Sequence, residues 1–134
     1  MKDLVNRYVA VWNEPDPDRR RAGISELWAR DGGQILEPPQ EVREAADRMR
    51  MTSSFRVRGH AELEERVTRA YEEFIAPGEF VFRPRDGGTR VDDVVTFRWE
   101  LVRQPDGEVM AVGLEFLLLD GDGRIRDDYQ FIER

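Results

Sequence analysis

Apolar residues along the first part of the chain recur at helical spacing. Leu4, Val5, Tyr8, Val11 and Trp12 fall on one stripe, which Asn13, Glu14 and Pro15 interrupt, and this predicts a first helix. Asp16 ahead of Pro17 has the form of an N-cap with proline at the first helical position. From there Ile24, Leu27 and Trp28 carry an apolar face as far as Asp31, Gly32 and Gly33, predicting a second helix. A short strand through Gln34, Ile35, Leu36 and Glu37 ends at Pro38 and Pro39, and a weaker helix with Val42, Ala45, Ala46 and Met49 inward follows. Thr52 to Gly59 reads as loop. From His60, the residues Leu63, Val67, Ala70, Tyr71 and Phe74 mark a strongly amphipathic helix that Pro77 and Gly78 terminate.

After Gly78 the period changes from helical to alternating. Phe80 and Phe82, then Val91 to Arg103, Glu108 to Leu119 and Arg124 to Ile132, read as strands. Between them, Arg85-Asp86-Gly87-Gly88, Pro105-Asp106-Gly107 and Asp120-Gly121-Asp122-Gly123 supply residues tolerant of positive φ, so consecutive strands are expected to be antiparallel. Helices followed by an antiparallel sheet define an α+β domain, in which the sheet curls around the helices and leaves a pocket.

Composition narrows the chemistry. A chain of 134 residues, 40% of them hydrophobic, is expected to form one domain over 1–134. With 21 Lys+Arg against 28 Asp+Glu the net charge is −7, which disfavours nucleic acid and anionic membrane as partners. No apolar run reaches the roughly 20 residues of a spanning helix, and the opening Met1-Lys2-Asp3-Leu4 lacks the apolar core of a signal peptide, so a cytoplasmic protein is expected. There is no cysteine and one histidine, so thiol chemistry and an imidazole metal cluster drop out, and neither metal nor cofactor is expected. Carboxylates, tyrosines and arginines remain as candidates.

Sorting the strands by face places Gly113, Glu115 and Leu117 on one side and Leu114, Phe116 and Leu118 on the other. In the last strand Asp128, Gln130 and Ile132 oppose Tyr129 and Phe131. Large apolar groups on both faces imply that something covers the side away from the helices, and a second copy of the chain is the economical choice. Glu115 and Asp128 need a different account. An ionised carboxylate inside such strands costs several kcal/mol unless it is paired or solvated.

Arg7-Tyr8-Val9-Ala10-Val11-Trp12-Asn13, the strand end Leu36-Glu37-Pro38, and Gly113-Leu114-Glu115-Phe116 through Asp120-Gly121-Asp122-Gly123-Arg124-Ile125 together resemble the nuclear transport factor two-like superfamily, in particular its SnoaL-like polyketide cyclases and ketosteroid isomerases. The resemblance covers nearly the whole chain and implies a cone-shaped fold with a central pocket. Tyr8 matches the helix-one tyrosine that donates to the substrate oxyanion in ketosteroid isomerases, Glu37 before Pro38 matches their general-base aspartate, and Glu115 matches the aspartic acid that stays protonated. Both acids are glutamates here, one methylene longer, and the segment from Pro39 to Arg58 is longer than its counterpart. In the cyclase branch an acid on the last strand transfers the proton, and Asp128 and Gln130 lie near that place. Either Glu37 or Asp128 is thus a candidate base.

The resemblance implies cofactor-independent acid–base chemistry on a small apolar carbonyl compound, with Trp12, Trp99 and Gln130 lining the pocket beside Tyr8, Glu37, Glu115 and Asp128. A ligand-binding or regulatory module using the same pocket without turnover is the alternative. Glu37 and Glu115 in one dry pocket could not both ionise cheaply, so one would stay protonated. The structural alternative for Glu115 is a buried ion pair with Arg98 on the adjacent strand. His60 is expected to cap or pack, and Asp120 to Gly123 to form a turn because Arg124 and Arg126 occupy positions a calcium loop would need. Arg19-Arg20-Arg21 is expected to be a solvated face.

Overall fold

The two N-terminal stripes form helices α1 (Lys2–Asn13) and α2 (Pro17–Leu27), with Pro17 in the first turn of α2. A computed structural model describes residues 1–51 and 55–133 of the chain. Helix α2 stops one residue short of Trp28, which opens strand β1 (Trp28–Leu36) without an intervening turn. The strand starts earlier than its sequence suggests because Trp28 is fully buried and pairs with Ile125, so the sheet outweighs the helical stripe. Gly32 and Gly33 read as a break, yet lie within β1. A Cβ on Gly33 would come within 2.4 Å of the Val57 carbonyl oxygen, so the neighbouring backbone passes where no side chain fits.

Helix α3 (Gln40–Arg48) follows, and of its expected inward residues Ala46 is buried, whereas Val42 is 39% and Met49 63% exposed. Part of the predicted loop from Thr52 to Gly59 is instead strand β2 (Phe55–Arg58), antiparallel to β1; residues 52–54 lie outside the described residues. Four residues, two of them arginine, carry too little apolar alternation to read as a strand, and an edge strand needs little. Helix α4 (His60–Ala70) runs into a single π-helical turn, Tyr71–Ile75, closed by the Ala76 N–H donating to the Tyr71 carbonyl at 2.8 Å.

Strands β3 (Phe80–Pro84), β4 (Thr89–Val91), β5 (Val94–Arg103), β6 (Val109–Leu119) and β7 (Ile125–Glu133) complete the chain. The stretch expected as one strand from Val91 is split by a tight turn at Asp92, which takes φ 51°, a conformation aspartate tolerates. The seven strands form one curved, unclosed sheet in the order β2-β1-β7-β6-β5-β3, with β4 on β5. Every pairing is antiparallel except β1 with β7, so helices and sheet are less segregated along the chain than expected: β1 and β2 arise among the helices and join the far side of β7. The fold is α+β, with α1, α2 and α4 on the concave face around a core of Val5, Ile24, Trp28, Leu63, Val67 and Phe97.

Three local readings can be placed. His60 Nε2 lies 3.0 Å from the carbonyl oxygens of both Trp28 and Ala29, a packing role. Asp120 Oδ1 accepts from the backbone N–H of Asp122 and Arg124 and forms a turn. Arg20 departs from the solvated arginine face, being 4% exposed, with Nη1 donating to the Glu14 carbonyl at 2.9 Å and its guanidinium 4.6 Å from the Tyr71 ring centre. No helix among the described residues is long and apolar enough to cross a membrane.

Candidate functional site

Alternation along β5, β6 and β7 points Phe97 and Trp99, Gly113 and Glu115, and Asp128, Gln130 and Ile132 toward the concave face. Above them, α1 contributes Tyr8 and Trp12, and α4 with its π turn contributes Arg66, Ala70, Glu73 and Phe74. Together they enclose a cavity of about 350 Å³ whose wall is mostly apolar. Its volume lies at the small end of the range for ligand sites.

The floor is polar. The Tyr8 ring is fixed by Phe97, edge-on at 5.1 Å, and by Trp28 at 5.5 Å, and its hydroxyl donates to Asp128 Oδ2 at 2.5 Å. Gln34, buried on β1, turns its amide nitrogen toward the same Oδ2 at 3.1 Å, with the Tyr8 oxygen and Gln130 Oε1 each at 3.3 Å. Glu115 Oε1 accepts from Trp99 Nε1 at 2.8 Å. That contact needs the glycine opposite Trp99: a Cβ on Gly113 would fall 2.0 Å from the indole, which lies across it.

Glu115 and Asp128 are both fully buried on the same face of adjacent strands, each titrating under the influence of the other, and Glu115 Oε2 and Asp128 Oδ1 meet no hydrogen-bond partner among the described residues. Burial, followed by the charge of Asp128, pushes the Glu115 carboxyl well above the usual carboxylate range. Burial also raises Asp128, against the neighbouring Glu115 carboxyl and the hydrogen bonds it receives from Tyr8 and Gln34. Two carboxylates so close cannot both be charged, so the pair holds a proton, and Glu115 is the member that keeps it. Tyr8, buried and facing negative charge, is also pushed well above its ordinary value and stays a hydroxyl.

Tyr8, Trp12, Trp99, Glu115 and Gln130 therefore line one cavity, and Asp128 lies directly beneath it. Glu37 is not among the lining residues. It ends β1 with Oε2 accepting the Ile132 N–H at 2.9 Å and Oε1 paired with Arg43 Nη1 at 2.9 Å, so it clamps α3 to β7. The acid sharing Glu115's environment is Asp128, not Glu37, because residues on adjacent strands of one sheet face meet, whereas Glu37 leaves the sheet where α3 departs. Arg98 does not pair with Glu115 either. Alternation sends it to the convex face, where Nε meets Glu133 Oε1 at 2.6 Å.

Two site residues escape a reading by element. Gln34 was legible as a polar residue in a strand that proves buried on both faces. Arg66 lies three residues after Leu63 and four before Ala70, on the apolar stripe of α4, but its acidic neighbours make it look solvated. Among the described residues no cluster of His, Asp and Glu suits a metal ion.

The curved sheet wrapped over helices, here around a pocket floored by acids, is an arrangement that solved structures share. A candidate isomerase of the SnoaL-like family from Agrobacterium tumefaciens aligns over 98% of this chain and 96% of its own, with TM-score 0.77 at 22% identity. A candidate polyketide cyclase from Sinorhizobium meliloti aligns over 96% and 94%, with TM-score 0.61 at 18% identity. An NTF2-like protein of unknown function from an Exiguobacterium species aligns over 97% and 98%, with TM-score 0.65 at 15% identity. No protein-family model and no curated protein sequence matches the chain. The chain shares its fold with these SnoaL-like and NTF2-like structures.

Proposed function

We propose that the cavity performs cofactor-independent acid–base chemistry on a small, largely apolar carbonyl compound. The observation that carries this reading is the pair of fully buried, electrostatically coupled carboxyls, Glu115 and Asp128, beneath an apolar chamber into which Glu115 and Tyr8 face. Burying two acids costs several kcal/mol that a passive binding pocket has no need to spend.

The pair gives a complete proton path. In the resting state Glu115 holds the proton and Asp128, ionised, receives the Tyr8 hydroxyl. Passing the proton from Glu115 to Asp128 leaves Glu115 as a carboxylate facing the cavity and frees the Tyr8 O–H from its acceptor. Glu115 then takes a proton from the carbon next to the carbonyl, the C–H electron pair forms a carbon–carbon double bond as the C=O π pair moves onto oxygen, and Tyr8 donates to the resulting oxyanion. Returning the proton to another carbon is an isomerisation; attack of the enolate on a second carbonyl is an aldol-type ring closure. Trp99 orients Glu115 throughout.

Deuterium uptake from D2O into a panel of small cyclic ketones, read by mass spectrometry, tests this. The parent is expected to exchange the protons next to the carbonyl, Glu115→Gln to lose about 10²- to 10⁴-fold, and Tyr8→Phe about 10²- to 10³-fold. Glu37→Gln is expected to exchange like the parent. If the parent exchanges no faster than Glu115→Gln across the panel, the cavity is a binding module; if Glu37→Gln is the inactive variant, the base is the one implied by the family resemblance.

A further inference from the structure

Arg66 is a cavity residue that this proton path does not use. The apolar stripe of α4 carries it inward beside the buried Leu63 and Ala70, and two contacts hold it there. Its Nε donates to Gln34 Oε1 at 3.3 Å, and its guanidinium carbon lies 5.4 Å from the centre of the Trp12 ring. Among the described residues no carboxylate lies within ion-pair distance. Burial depresses its pKa, and Tyr8, Glu115, Asp128 and Glu73 act on it only through space. Trp12, over which it stacks, has a buried indole N–H that meets no acceptor among the described residues. Both residues line the cavity, whose remaining wall includes Val9, Phe74, Phe82 and Leu101.

The electrostatic balance favours one class of ligand. Because Glu115 keeps its proton, the acid pair carries a single negative charge, and Tyr8 and Gln34 already hydrogen-bond it. Glu73 stands exposed at the rim, where water and salt screen it. The guanidinium is thus a half-buried cation with unused donors, stacked on Trp12 in an otherwise apolar chamber. A neutral ligand would leave the free guanidinium donors without a charged partner, whereas a carboxylate matches the guanidinium fork.

We propose that the cavity recognises a small monocarboxylate with an apolar body, its carboxylate held by Arg66 and its body by the aromatic wall that includes Trp12. This names the ligand class of the site described above and does not require the ligand to be turned over; combined with that reading, it makes the substrate a keto acid.

Calorimetric titration with 2-naphthoate and 4-phenylbutyrate, each against its uncharged primary amide at neutral pH, provides the test. The carboxylates are expected to bind at least about tenfold more tightly than the amides, the scale of one charge-assisted hydrogen bond. Arg66→Met should erase that preference while leaving amide binding within about twofold, and Arg66→Lys should recover part of it. Equal binding of acid and amide by the parent, binding of neither, or a preference that survives in Arg66→Met overturns the proposal. The comparison within the parent decides it even if Arg66→Met fails to fold. Glu115→Gln should keep the preference, so this result and the ketone exchange can fail independently.

Discussion

The proton on Glu115 is the residue-scale feature with the widest consequences. Its folded pKa lies above the ordinary glutamate value of about 4.3, so the folded chain binds this proton more tightly than the unfolded chain does. The associated stability is therefore fully present below about pH 4.3 and is lost as pH rises through the folded value. Asp128 is shifted the same way. Denaturation measured from about pH 4.5 to 8 should show the parent losing stability with rising pH and Glu115→Gln, which keeps an acceptor for Trp99 and removes the titrating group, losing less. Parallel curves for the two proteins would contradict a protonated Glu115. Gly113 is the second such residue: Gly113→Ala should push the Trp99 indole off Glu115, cost about 1–3 kcal/mol, and alter the near-ultraviolet circular dichroism. An unchanged spectrum would show that the close fit is not needed.

Among the secondary-structure elements, the junction of α1, α2 and the π turn shapes the upper half of the cavity. Arg20 of α2 reaches the Glu14 carbonyl at the end of α1 and lies over Tyr71, the first residue of the π turn that brings Glu73 and Phe74 to the chamber. A planar guanidinium can hydrogen-bond along its edge while its face covers an aromatic ring; an ammonium cannot do both. Arg20→Lys and Arg20→Met should both destabilise the chain by about 1–3 kcal/mol in urea denaturation, from the unpaired carbonyl and the lost stacking. Full rescue by lysine would reduce the role of Arg20 to its charge. Phe74, Phe82 and Trp99 continue the wall as successive edge-on pairs at 6.2 and 5.3 Å, so a disturbance at this junction is expected to reach the Trp99–Glu115 contact.

For the whole molecule, the convex face of the sheet is the unexplained surface. Leu114, Phe116 and Leu118 on β6 lie beside Tyr129 and Phe131 on β7, which are 36% and 44% exposed, with Phe116 and Phe131 edge-on at 5.8 Å. We propose that a second copy covers this face. Light scattering at micromolar concentration is expected to return the mass of a dimer, and Phe131→Glu a monomer whose cavity still binds, since Phe131 points away from it. A monomeric parent would remove the proposal.

The division between sequence and tertiary structure follows from the range of the interactions. Helices α1 and α2, the amphipathic start of α4, the hairpins and the alternation that turns Glu115 inward and Arg98 outward were readable because each depends on neighbours a few residues apart and on turn chemistry between them. The family resemblance extended that reading to the curved fold and to Tyr8 and Glu115 as cavity residues. Contacts distant in sequence decided the rest. Trp28 and the two glycines after it joined a strand because β7 pairs with them in parallel, a pairing with no local signature. Glu37 became a clamp because α3 brings Arg43 back to it, and Asp128 took its place beside Glu115 through the register of β6 on β7. Arg66 and Gln34, more than thirty residues apart and each unremarkable in its own element, became part of one polar network only when α4 packed across β1. A local pattern shows which side of an element faces inward, and only packing decides which side chains meet there.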